Sequence, residues 1–329
     1  MMASTETRPV ITVLTAPDEQ RPPGLDPLFE RAEVRFAWDA DTLRDTLPGT
    51  RVMMVTDFRT EALREAWPYA DSLEWIHATS AGVDALMFPE LVNSEVTVTN
   101  AQGIFDRSIA EYVLCTILMF AKDFPRSIRL QMAHQWQHRD TERAQSARVL
   151  VVGAGSIGRQ IARLVTAVGM EAHGVARRAR DDDPDFERVH DNAALPEQLG
   201  QADYVVIAAP LTPATEKLFD ARSFQAMKPT ARLINIGRGP IVDTEALVEA
   251  LRGGEIAGAG LDVFEEEPLP SDHPLWAMEN VTMTAHMAGD FIGWKKALTD
   301  QFFDNLDNWQ AGRAFFNVVD KARGYVPNQ

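Results

Sequence analysis

The chain has little cysteine, a deficit of positive charge and no long apolar run. One cysteine, Cys115, in 329 residues rules out an internal disulfide framework. It falls in the apolar stretch 112–118, where the simplest expectation is a small buried hydrophobe. No segment approaches the roughly 20 apolar residues that span a bilayer, so no membrane partner is expected. The opening MMASTETRPVITVL has an apolar stretch too short for a signal sequence and no basic segment before it. It reads as a loose tail entering a first strand, and a cytoplasmic location is expected. Lys and Arg number 32 against 48 Asp and Glu, a formal net charge of -16. A phosphate backbone demands a basic face, which argues against a nucleic-acid partner.

Two acidic runs stand out, Asp181-Asp182-Asp183 and Glu265-Glu266-Glu267. The first is expected to be a solvated loop, and in the second only Glu267 carries weight. His134 and His138 stand four apart, a spacing that suits two metal ligands on a helix, but no third ligand lies near in sequence and no metal is expected.

What the chain does have is alternation. Its length implies two domains, and 45% hydrophobic with 24% charged residues suits a soluble globular protein. β-rich runs at 10–14, 34–37, 52–55, 75–78 and 96–99 alternate with helical segments such as 60–66. A helix is expected over about 108–122, ending before Pro125, followed by a polar and aromatic arm at 126–145. A second series has strands at 149–152, 172–175, 204–207, 232–235, 257–261 and 281–284, and a helix reaching about Val168. Six strands in this order predict a Rossmann-like domain. The segment 294–309 is helical again and is able to fold back on the first domain.

The turn Gly153-Ala154-Gly155-Ser156-Ile157-Gly158 lies between an apolar strand and a helix. Gly153 permits the tight turn, Gly155 lets backbone approach a pyrophosphate, and Gly158 lets helix and strand pack closely. The helix N-terminus adds amide donors and a favourable dipole, so a dinucleotide is expected here. Enzymes that use NAD carry an Asp or Glu about 20 residues on, which accepts from the ribose 2′-OH. This chain has Ala176-Arg177-Arg178 instead, and guanidinium groups suit a 2′-phosphate. NADP(H) is therefore preferred, with NAD(H) possible; the alternative is a pair of solvated arginines answering the acid run that follows.

Reduction of a 2-oxo acid needs a cation for the carboxylate, an acid to protonate the developing alkoxide, and a group that keeps that acid protonated. Arg238, between Gly237 and Gly239, follows one expected strand; Glu267 and His286 follow the next two. A carboxylate beside an imidazole favours the imidazolium, which suits His286 to donate a proton. His77 closes a strand and either touches substrate or packs. His173 lies within a strand, while His190 and His273 fall in expected loops.

With these segments, Asn235-Ile236-Gly237-Arg238-Gly239, Leu261-Asp262-Val263-Phe264-Glu265-Glu266-Glu267-Pro268 and Ala285-His286, the chain resembles the D-isomer-specific 2-hydroxyacid dehydrogenases, nearest to the glyoxylate/hydroxypyruvate reductase branch. The resemblance implies an α/β fold of two Rossmann-like or flavodoxin-like domains with parallel sheets. In it a dinucleotide-binding domain, 101–294, with a dimerisation arm at about 101–146, is inserted into a discontinuous substrate domain, 1–100 plus 295–329. It implies Arg238 as substrate anchor, His286 as acid/base and Glu267 as its partner. It places Asp262 on the nicotinamide carboxamide, and Pro210, Thr215 and Ile236 along the cofactor. It also assigns backbone amides of Ser80, Ala81 and Gly82 to the substrate carboxylate, Asn100-Ala101-Gln102-Gly103 to a hinge, and the assembly to a homodimer. The Gly-Gly that family members often have after the histidine is replaced by Met287-Ala288-Gly289-Asp290, then Phe291-Ile292-Gly293-Trp294, where Met287 and Trp294 narrow the acyl pocket. Two other readings on the same fold stay open: a nucleotide-sensing corepressor-like protein, and a formate- or phosphite-type dehydrogenase.

Overall fold

A computed structural model describes residues 8–17, 19, 21–56 and 61–327; Thr60 and the expected N-terminal tail, residues 1–7, lie outside them. The chain divides into two compact units, Met1–Ile104 with Phe291–Gln329, and Phe105–Asp290.

The first unit holds five parallel strands: β1 (Val10–Leu14), β2 (Glu33–Ala37), β3 (Thr50–Val55), β4 (Trp75–Ala78) and β5 (Thr97–Thr99). Their order, β2-β1-β3-β4-β5, is the flavodoxin-like winding. Alternation along each strand sorts side chains to two buried faces, because successive residues point to opposite sides. Ile11, Val13, Val52, Met54 and Trp75 face one side, where Phe302 and Leu306 of the helix Trp294–Gln310 pack. Leu14, Met53, Val55 and Ile76 face the other. The C-terminal helix thus packs on the first sheet.

The second unit has seven parallel strands where six were expected. They are β6 (Arg148–Val152), β7 (Glu171–Ala176), β8 (Arg188–Asp191), β9 (Tyr204–Ile207), β10 (Arg232–Asn235), β11 (Gly258–Leu261) and β12 (Val281–Met283). The order β12-β11-β10-β9-β6-β7-β8 is Rossmann winding with one strand added. The unanticipated strand is β8, an edge strand that pairs only with β7, so one side of it needs no apolar pattern. It places His190 in a strand rather than a loop, with its ring 5.9 Å from that of His173.

Two further expectations, on Cys115 and Asp183, are corrected, and the histidine pair is placed. Cys115 is exposed: Val113 and Ile117 of the helix Asp106–Ala121 face the core, and a residue midway between them points away. His134 and His138 share no helix, because the helix Phe124–Met132 has ended and His134 turns left-handed at φ 54°. Among the described residues, no group of three His, Cys, Asp or Glu is placed to hold a metal, and no helix is long and apolar enough to cross a membrane. Asp183 is not solvated; its side chain is 1% exposed and is clasped by Arg159 and Arg180.

His77 resolves to packing. It lies inside β4, fully buried against the rings of Trp75 and Phe302, with Nδ1 2.8 Å from Thr99 Oγ1. Burial pushes it down to about 3 from an ordinary 6.5. Between those values the unfolded chain binds a proton that the folded chain refuses. Stability from this group is therefore complete above the unfolded value and is lost on acidification, at up to ~1.4 kcal/mol per pH unit. Thermal melts from pH 6.5 to 4.5 should show a falling midpoint and a shallower fall in His77→Gln. Equal slopes would remove His77 from the pH dependence.

Candidate active site

A parallel sheet sends all its carboxyl ends to one edge, and the second unit gathers its chemistry-bearing residues there. At the end of β6 the glycine turn enters the helix Ser156–Ala167. Gly153 has φ 111°, and a Cβ there would lie 2.6 Å from the Ala208 backbone. A Cβ on Gly158 would overlap the Gly153 carbonyl. Packing therefore demands both. Gly155 differs: its φ is -85°, and a Cβ would meet nothing in the chain within 4 Å. It also leaves the helix without a side-chain cap, so the first-turn amides keep their capacity for an anion. An uncapped, open glycine at a helix start fits a dinucleotide pyrophosphate, with Ser156 and Ile157 in the first turn.

Arg177 and Arg178 follow β7 and are exposed. Two members of the acid run, and Asp185 beyond it, have other arginine partners. Asp183 pairs with Arg159 and Arg180, Asp185 with Arg159 and Arg163, and Asp181 with Arg188. Burial would raise the Asp183 carboxyl, but hydrogen bonds from Arg159, the Asp185 amide and Arg180 hold it below the ordinary range. Next along the edge, Thr215 Oγ1 donates to the Pro210 carbonyl at 2.7 Å and accepts from the Thr212 amide, which closes the 210–215 loop. Ile236, 8% exposed, continues from β10 with its amide on the Ile207 carbonyl.

Arg238 is set by its neighbours. Asn235 Nδ2 donates to the Arg238 carbonyl, Asn235 Oδ1 accepts the Gly237 amide, and Arg238 Nη1 donates to the Gly237 carbonyl at 2.9 Å. A Cβ on Gly239 would overlap the Phe264 backbone, so glycine brings this loop against the one that carries Glu267. His286 Nδ1 lies 2.8 Å from Glu267 Oε2, and Glu267 Oε1 accepts the Phe264 amide at 3.0 Å. Both side chains are partly buried, 26% and 19% exposed. Burial would raise the Glu267 carboxyl, yet the bonds from His286 and Phe264 and the charges of His286 and Arg238 hold it below the ordinary range.

Asp262 is 2% exposed and holds the histidine's backbone. Its carbonyl accepts the His286 amide at 2.8 Å, and its carboxylate accepts the Met287 and Ala288 amides and the Thr284 hydroxyl. Tyr112 OH reaches Thr284 Oγ1 at 2.7 Å. Tyr112 and Thr284 were not anticipated; they stand 172 residues apart, and neither lies in a motif. In the first unit, Ser80, Ala81 and Gly82 form a loop after β4. Ser80 Oγ donates to the Gly82 carbonyl at 2.6 Å and Asn100 Nδ2 to the Ala81 carbonyl at 2.6 Å.

Residues 114–288 match the family model described as D-isomer specific 2-hydroxyacid dehydrogenase, NAD binding domain. A glyoxylate reductase of Thermofilum pendens is 33% identical over 253 residues, 74% of this chain and 73% of the relative. An (S)-sulfolactate dehydrogenase of Chromohalobacter salexigens is 34% identical over 243 residues, 73% of this chain and 78% of the relative. The crystal structure of an NADPH-dependent glyoxylate/hydroxypyruvate reductase from Sinorhizobium meliloti, in complex with NADP and sulfate, aligns with a TM-score of 0.85 at 28% identity. That alignment covers 97% of this chain and all of that one. The chain belongs to the D-isomer specific 2-hydroxyacid dehydrogenase family and is an oxidoreductase with an NAD(P)-binding domain.

The contrast between the glycines is testable. Gly155→Ser supplies a good helix cap and a side chain in the open space, so the melting temperature should hold or rise while NADPH binding, read by fluorescence titration, weakens about tenfold or more. Gly158→Ala should lower the melting temperature. Undiminished NADPH affinity in Gly155→Ser would remove the pyrophosphate from this turn.

Proposed function

We propose that the protein reduces a small 2-oxo acid to the D-2-hydroxy acid and runs the reverse oxidation, with NADP(H) preferred over NAD(H). The observation that carries this is the 2.8 Å bond from His286 Nδ1 to Glu267 at the edge that also bears Arg238. The relatives named as glyoxylate reductases and the (S)-sulfolactate dehydrogenase act on small acids of this kind, and glyoxylate or hydroxypyruvate is the proposed substrate. The nicotinamide, when bound, supplies hydride to the substrate carbonyl carbon.

The chain's own residues do the rest. Arg238 anchors the substrate carboxylate and polarises the adjacent carbonyl, a task suited to a fixed guanidinium fork. Ser80, Ala81 and Gly82, in the loop after β4, are proposed as substrate-binding residues through their backbone amides. With Nδ1 on Glu267, His286 delivers its proton from Nε2 to the developing alkoxide, and Glu267 stabilises the imidazolium before transfer. Arg177 and Arg178 are the proposed partners of the 2′-phosphate; support comes from their exposed place directly after β7, where a ribose-binding carboxylate would otherwise stand. A cytoplasmic homodimer is the proposed assembly, supported by apolar exposure on the arm at Phe124, Ile128, Met132 and Trp136; a monomeric mass in sedimentation would exclude it.

Purified protein should oxidise NADPH with glyoxylate or hydroxypyruvate, at a kcat/KM above that with NADH. No oxidation across a panel of 2-oxo acids would overturn the reaction class, and a ratio favouring NADH the cofactor preference. Among variants, His286→Ala should cut kcat by about a hundredfold or more at little cost in NADPH affinity. Arg238→Ala should raise KM and lower kcat together. In Glu267→Gln the imidazolium loses its partner, so the pH at which oxo-acid reduction falls off should move toward acid. An unmoved profile would break the pairing.

A further inference from the structure

We propose that Tyr112, Thr284 and Asp262 form a hydrogen-bonded chain that positions the His286 ring, with the helix Asp106–Ala121 as its mount. This rests on the role of His286 proposed above and gives Asp262 a further task, holding the turn that carries His286.

His286 has φ 53°, a left-handed conformation that strains a non-glycine residue and persists only where its surroundings hold it. Here one residue holds three consecutive amides. The Asp262 carbonyl accepts from His286 at 2.8 Å, Oδ1 from Met287 at 2.8 Å and Oδ2 from Ala288 at 2.9 Å. With Thr284 Oγ1 donating to Oδ1 at 2.6 Å, three of the carboxylate's roughly four acceptor positions are filled by the turn itself.

The direction of the chain follows from counting protons. The Thr284 hydroxyl has one, and it goes to the carboxylate, which has none to give. Tyr112 OH, 2.7 Å from the same oxygen, must therefore donate to it. Burial pushes the Tyr112 phenol up, which keeps that proton in place. Tyr112, Ser108 and Phe105 follow the three-and-four spacing of one helix face. Ser108 Oγ donates to the Ala288 carbonyl at 3.4 Å, and a Cβ on Gly289 would lie 2.9 Å from the Phe105 ring. The helix thus grips the turn along residues 284–289, while Asp262 at the end of β11 grips it from the sheet.

Proton delivery depends on where Nε2 sits, and a misplacement near 1 Å can cost about a hundredfold in rate. Three full-length variants test the chain: Thr284→Val, which is close in size but has no hydroxyl; Thr284→Ser, which keeps it; and Tyr112→Phe, which keeps the ring. Two readouts are taken, amide hydrogen exchange at Met287 and Ala288 in cofactor-free protein, and kcat with both KM values for glyoxylate and NADPH. Thr284→Val should exchange roughly tenfold faster at those amides and lose about tenfold or more in kcat, with both KM values within about twofold. Thr284→Ser should recover both readouts, and Tyr112→Phe should move both in the direction of Val by less. Unchanged exchange in Thr284→Val overturns the chain, as do equal losses in Val and Ser, which would point to packing. Faster exchange at unchanged kcat overturns the positioning of His286. If Thr284→Val does not fold, Tyr112→Phe decides by the same two readouts. Should His286→Ala keep its rate, the reaction assignment fails, and exchange still judges the chain.

Discussion

Everything chemical in the second unit depends on a constraint of parallel sheets. Right-handed crossovers return each strand in the same direction, so the loops that leave β6, β7, β9, β10, β11 and β12 open on one edge. Segments between residues 153 and 288 that are far apart along the chain are brought to that edge by the winding of the sheet. The glycine turn, the 210–215 loop, Arg238, Glu267 and His286 follow five strands that are adjacent in the sheet, β6, β9, β10, β11 and β12.

Within that frame, each buried carboxylate is given partners. Glu267 has His286, the Phe264 amide and the field of Arg238. Asp262 has two amides and a hydroxyl. Asp183 has Arg159 and Arg180. A chain with a net charge of -16 that handles anionic substrates and cofactors must confine its negative charge in this way. Left unpaired, a buried carboxylate would be costly and would repel the ligand. The same pairing orients the groups that act, since a carboxylate held by several donors has one position only.

Local signals were enough wherever one strand or turn specified its own role. The periodicity of β1, β3 and β4 gave the first sheet, and the turn at 153–158 showed a strand, a tight bend and a helix in consecutive residues. Signals failed where one side of an element was free of the core. The edge strand β8 needs no continuous apolar run, and Cys115 sits on the outer face of a helix whose composition alone looks buried. They failed again where a charge partner comes from another element, as with Asp183, which Arg159 of the helix Ser156–Ala167 clasps from 24 residues away.

By itself the sequence determined the two parallel α/β units, the glycine turn and the residue types at the strand exits, because periodicity and turn chemistry are local properties of a chain. Only tertiary structure decided that Asp262 holds the His286 turn, that Tyr112 reaches it through Thr284, and that His77 is packing. Those hydrogen bonds join residues 22 to 172 positions apart, and the distance between such residues is set by how helices and strands pack, which no short stretch of sequence encodes.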